Sequence, residues 1–276
     1  MAQTTFDQRH WPDDDHATFD LSGLPRSAPI PLLTVVYGIG LALYLGVEPT
    51  QPWILLALVG LVGLGADGIL RSHPEAGLRG IADTAPFLFI PVLFALASGL
   101  FLEETISGYE AVPAAIVSSL LFAGALYGEY TSVSHGPSYA FGRLALHVLT
   151  YVAAFGFYAV VFEFDVELLP AAFAIGLFSM LLAVELFREA EADAYRALVF
   201  AGAIGLVVAE LRWALYFIPL EEFLSAIVLL LGFYLATGLV QHHLTNDLDR
   251  RIALEFGVVT AAGVAIIVIG RALSLG

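Results

Sequence analysis

Residues 168–187 read LLPAAFAIGLFSMLLAVELF, and Arg188 follows directly. Glu185 is the one charged residue in the run. An α-helix rises about 1.5 Å per residue, so about 20 residues span about 30 Å, the thickness of a bilayer's hydrocarbon core. The run is continuously apolar, whereas a barrel strand would alternate apolar with polar residues. It therefore predicts a membrane-spanning helix. Its flanks predict a direction. Glu163, Asp165 and Glu167 precede it and Arg188 closes it, and arginines concentrate on the cytoplasmic side of membrane proteins.

Eight further runs share this character: Ile30–Val47, Pro52–Leu70, Thr84–Leu102, Val112–Tyr130, Leu144–Phe162, Ala197–Ile218, Phe223–Val240 and Ile252–Leu273. Only Pro219, Leu220, Glu221 and Glu222 separate the seventh span from the eighth. Proline suits the start of a helix, so a tight hairpin is expected there. The predicted fold is all-α: a polytopic transmembrane helix bundle of about nine spans, forming one domain over residues 29–276. Residues 1–28 carry five Asp, two Arg and Trp11 with little periodicity, which predicts a mobile acidic cytoplasmic tail. The first span follows Asp13, Asp14 and Asp15 with no short basic start, so it is not read as a signal peptide.

The arginines orient the whole bundle. With the N-terminus inside, the inner segments carry Arg9, Arg26, Arg71, Arg79, Arg143, Arg188, Arg196, Arg250 and Arg251. The outer loops carry no Arg but hold Glu48, Glu103, Glu104, Glu110, Glu163, Asp165, Glu167, Glu221 and Glu222. Deleting one span would put basic loops on both sides, so the positive-inside rule also supports the count. Nine spans place the C-terminus outside, with the protein in the plasma (inner) membrane.

Composition excludes several classes. The 276 residues are 59% hydrophobic and 13% charged, against roughly 45–50% and 25% in soluble domains. A soluble enzyme, a nucleic-acid binder and a disordered chain are all ruled out. There is no Cys, hence no disulfide or thiolate metal site. All 11 basic residues are Arg, which excludes a Schiff-base lysine and a P-loop. A net charge of −15 argues against anionic partners. The expected partners are membrane lipids or another membrane subunit, with no nucleic acid. Small residues at helical spacing, Gly124 with Gly128 and Ala201 with Gly205, predict close helix crossings within the bundle.

Ionisable groups at membrane depth are costly, by roughly 2.5–3.5 kcal/mol on insertion scales, so each is a candidate site. Asp67, Glu129, Glu185 and Glu255 fall within a turn or so of an inner helix end. There they are expected to reach interfacial water or to pair locally, as Glu185 can with Arg188 at i+3. Glu210 and Arg212 fall in the outer half of the seventh span. Two residues apart, they point about 200° away from each other. With Tyr216 and His147 they form a candidate polar cavity, which a small-molecule or proton-coupled carrier would use. A second candidate cluster lies at the inner face: His242, His243, Asp247 and Asp249 follow the eighth span, and His135 sits in a polar loop. Imidazole and carboxylate at helical spacing can hold a divalent metal for a lipid-modifying enzyme. The set matches no tight metal pattern, so no metal or cofactor is assigned. H-E-x-x-H, G-x-S-x-G and Walker motifs are all missing.

The segment from Glu210 to Glu255 includes Glu210-Leu211-Arg212-Trp213, Pro219-Leu220, Gly232-Phe233-Tyr234 and His243-Leu244. It resembles an uncharacterised family of bacterial multi-pass membrane proteins, catalogued as a domain of unknown function. The resemblance lies in the last part of the chain and implies a membrane protein with no assigned activity, cofactor or catalytic residue. Every conspicuous polar residue has an adequate packing role. The leading expectation is therefore a non-enzymatic membrane component, an accessory subunit or lipid-binding protein, ahead of the carrier and the enzyme.

Overall fold

The computed structural model describes residues 29–73, 81–133, 138–164, 166–188, 193–245 and 250–274. Among these it contains nine α-helices and no strand. They are α1 (Pro29–Gly46), α2 (Pro52–Arg71), α3 (Ile81–Thr105), α4 (Ala111–Val133), α5 (Tyr139–Glu163), α6 (Leu168–Phe187), α7 (Ala194–Leu215), α8 (Glu222–Thr245) and α9 (Arg250–Ser274). Each is long and apolar enough to cross a membrane. The acidic tail expected over residues 1–28 lies outside the described residues.

Local chemistry sets the helix ends. Pro52 opens α2 with its φ already helical. The Asp193 side chain accepts the Tyr195 amide at 3.0 Å and caps α7. α7 ends at Leu215, short of the expected Ile218, because Pro219 has no amide to offer and disfavours helix in the residue before it. The chain then turns, with the Leu220 amide donating to the Ile218 carbonyl at 2.8 Å. α8 runs to Thr245, five residues beyond the expected Val240, and takes His242 and His243 with it.

Apolar attraction between helices is absent in lipid, so backbone approach at small residues holds the bundle. The closest such approach is between α6 and α7. A Cβ on Gly205 would lie 2.5 Å from the Gly176 carbonyl oxygen, and one on Gly176 would lie 2.9 Å from the Gly205 carbonyl oxygen. Of the expected α4 pair, Gly128 sits at the α5 crossing, where a Cβ would meet the Gly142 carbonyl at 2.9 Å. Gly124 makes only ordinary contact with Leu149. Gly128 and Gly205 thus serve packing within the chain, while Gly124 sets no close crossing. The large side chains enclosed between helices include Tyr37, Phe94, Phe122, Tyr158, Ile175 and Phe233. Leu32, Leu64, Leu120, Phe173 and Leu206 point outward, as lipid-facing residues do. α9 stands apart: it packs against α8, with Gly238, Gly263 and Gly270 facing Phe256, Leu231 and Leu224, and none of its spanning window is buried.

The two ends of the bundle differ in charge. At one end the Tyr44 hydroxyl donates to Glu103, and Glu104 and Glu163 line a cleft with Phe223. At the other end Arg143 and Arg188 meet Glu129 and Glu185. These are called the glutamate end and the arginine end below.

Candidate functional site

The arginine end holds an enclosed charge cluster built by three helices. Glu185 Oε1 accepts from Arg143 Nη1 on α5 at 3.1 Å and from Arg188 Nη2 at 2.7 Å. Arg188 Nη2 also reaches Glu129 Oε2 on α4 at 3.2 Å. Its guanidinium lies 3.7 Å from the centre of the Phe87 ring on α3. Among the described residues the cluster's two cations and two anions sum to zero, which is what an apolar interior tolerates. The i+3 contact between Glu185 and Arg188 forms as the spacing predicts. Glu185, 1% exposed, therefore meets the expectation by pairing locally rather than by reaching water, while Glu129, also 1% exposed, does neither and pairs with an arginine 59 residues away. Asp67 does pair locally, with Arg71 at 2.7 Å, and Glu255 is exposed. Arg143, Glu129 and Arg188 as one cluster escape sequence reading, because their contacts join positions 42 and 59 residues apart.

Toward the glutamate end, α3, α4 and α5 enclose a pocket of about 520 Å³. Phe94, Ala97, Phe101, Leu121, Val152 and Ala153 are among its walls. Val117, Leu121 and Val152 belong to outward faces, so the pocket opens sideways toward lipid. Among the described residues, its polar side chains are Ser98, Ser118 and Glu110. Ser98 and Ser118 both bond the hydroxyl of Tyr37, at 2.7 and 2.9 Å. Tyr37 comes from α1, which approaches α4 closely because Gly38 faces Ser119.

The residues singled out from sequence occupy several places. Glu210 is exposed and lines a groove between α6 and α7 with Leu169, Phe173 and Trp213. Arg212, Tyr216 and His147 do not line that groove. Arg212 is buried, its guanidinium 4.4 Å from the centre of the Phe162 ring. Tyr216 is exposed and touches Phe217 edge-on. His147 lies toward the other end of α5 from Phe162, and its Nδ1 donates to the Arg143 carbonyl at 2.9 Å. Of the inner-face cluster, His242 stands edge-on to Phe256 and His243 to Phe200. Asp247, Asp249 and His135 lie outside the described residues. Among the described residues no group of three or more His, Asp or Glu side chains is placed to hold a metal.

Nine helices of this length and apolarity make the chain a multi-pass membrane protein. Residues 34–270 match the family described as "Protein of unknown function (DUF5656)", and the chain belongs to that family. The likeness seen in the last part of the sequence therefore extends over almost the whole bundle. No curated protein and no solved structure matches the chain.

Proposed function

We propose that this protein is a non-enzymatic component of the plasma membrane that binds a lipid, with the lipid's apolar part in the pocket between α3, α4 and α5. The observation that carries this reading is the pocket itself. Its volume of about 520 Å³ falls within the roughly 300–1,000 Å³ of ordinary ligand sites. Its walls are almost wholly hydrocarbon, and its sideways opening suits entry from the bilayer. The arginine bias of the loops supports a cytoplasmic N-terminus, which turns the glutamate end, and the pocket near it, toward the outer leaflet.

Native mass spectrometry of the detergent-purified protein tests the reading. The parent should retain or take up one lipid per chain. Ala114→Phe places a ring in the pocket from its partly exposed rim, and should lose that adduct while keeping its helical circular dichroism. Equal adducts in parent and variant would remove the pocket as the binding place.

A further inference from the structure

The inference rests on the lipid-binding reading and names the chemistry of the occupant. We infer that the pocket takes an uncharged lipid whose polar group is a hydroxyl, seated with that hydroxyl donating to Ser118.

Each hydroxyl has one proton to donate and two lone pairs to accept with. The Ser98 hydroxyl sits 2.6 Å from the Phe94 carbonyl oxygen. A carbonyl cannot donate, so the Ser98 proton is spent there. The contact of 2.7 Å between Ser98 and Tyr37 then requires Tyr37 to donate. With its own proton spent, Tyr37 can only accept across the 2.9 Å contact with Ser118, so Ser118 donates. The three hydroxyls form a one-way relay from Ser118 through Tyr37 and Ser98 to the backbone. Reversing it would leave two oxygens 2.6 Å apart with no proton between them.

The relay leaves Ser118 Oγ with lone pairs and no proton to give. Ser118 is 4% exposed and lines the pocket. The other polar side chain there, Glu110, is a carboxylate and also an acceptor. Among the described residues the lining contains no Arg, His, Asn, Gln or Trp. The amides of Ser98 and Ser118 lie within α3 and α4, where each bonds the preceding turn. The pocket's described side chains therefore accept hydrogen bonds and donate none. A phosphate, a fatty-acid carboxylate or an ester carbonyl finds no donor, and the first two would also face Glu110. A hydroxyl on an apolar body satisfies Ser118 and leaves no charge buried.

The test uses the full-length protein in detergent with three probes: oleyl alcohol, its methyl ether and oleylamine. Binding is read by native mass spectrometry. The alcohol should bind about three- to tenfold more tightly than the ether, the worth of one net hydrogen bond. Ser118→Ala should bring the alcohol down to the ether. Tyr37→Phe gives an independent check. It removes the acceptor for the Ser118 proton, which becomes free to donate into the pocket, so ether binding should rise toward that of the alcohol. Equal binding of alcohol and ether by the parent overturns the hydroxyl assignment but leaves the lipid-binding reading standing. Tighter binding of oleylamine overturns it in favour of a cation at Glu110. Failure of all three probes to bind overturns the lipid-binding reading itself, and the inference with it.

Discussion

Replacing Arg188 with methionine should be among the most damaging single changes in the bundle. The side chain joins Glu185 at 2.7 Å and Glu129 at 3.2 Å while lying on the Phe87 ring. Methionine keeps the apolar stem and removes the charge. Glu185 still has Arg143 at 3.1 Å, but Glu129, 1% exposed, loses the ion pair to Arg188. Removing one member of a buried ion pair costs about 3–5 kcal/mol, because the remaining charge stays out of water with its hydrogen-bonded partner gone. The second half of the prediction isolates the cause. In the Arg188→Met background, Glu129→Gln removes the stranded charge and should restore about 1–3 kcal/mol, the usual coupling between contacting residues. Equilibrium unfolding in mixed micelles, followed by circular dichroism, gives the four free energies of the cycle. A loss below about 1 kcal/mol for Arg188→Met, or additivity within about 0.5 kcal/mol across the cycle, would refute the view that Arg188 stabilises the bundle by bridging the Glu129 and Glu185 carboxylates.

Three further outcomes are expected. Gly205→Val should loosen the α6–α7 contact by about 1–3 kcal/mol or more, since the opposing Gly176 carbonyl is backbone and cannot rotate away; Gly202→Ala, inside the same helix with nothing within 4 Å, should instead be neutral or stabilise by up to about 1 kcal/mol in the same unfolding assay. Glu210→Leu should leave stability unchanged or raise it, because none of the ion pairs among the described residues involves Glu210 and its groove is apolar; a loss of more than about 1 kcal/mol would mean the carboxylate has a partner worth keeping. Because the chain has no Cys, single cysteines at Glu104 and Tyr195 report sidedness without background. A membrane-impermeant thiol reagent on intact cells should label Glu104→Cys and spare Tyr195→Cys, and the opposite pattern would invert the bundle.

The spans are legible because length and apolarity are properties of a continuous stretch, and a bilayer selects on both. α6 appears with the bounds its sequence suggests, and α7 stops early for the local reason that Pro219 lies just beyond it. The charge cluster is less legible. Arg143 falls just outside the predicted fifth span, and nothing near it in sequence names Glu185 as a partner. Glu129 looks like a residue at a helix end until Arg188, just past α6, reaches it at 3.2 Å. The pocket is least legible, because its space comes from small residues on different helices, Ala97, Ala114, Ala153 and Gly156. One signal was available: a tyrosine in the middle of an apolar span needs a partner for its hydroxyl. Tyr37 finds Ser98 and Ser118, and Tyr158 finds Ser179 at 2.6 Å. Mid-span tyrosines and serines therefore mark, in the sequence itself, the helices that meet, here α1 with α3 and α4 and α5 with α6.

The attachment of α9 has a consequence for how the chain comes apart. Its contact with α8 is made by glycines facing Phe256, Leu231 and Leu224, and it contributes nothing to the enclosed interior. It is in effect a ligand of α8 joined to it in sequence by residues 246–249. Its association depends on effective concentration, so cutting the tether would convert it into an ordinary bimolecular equilibrium that dilution in micelles can reverse. Pulled from the C-terminus, the chain should give up this helix first, as a separate small step, before the remaining eight yield together.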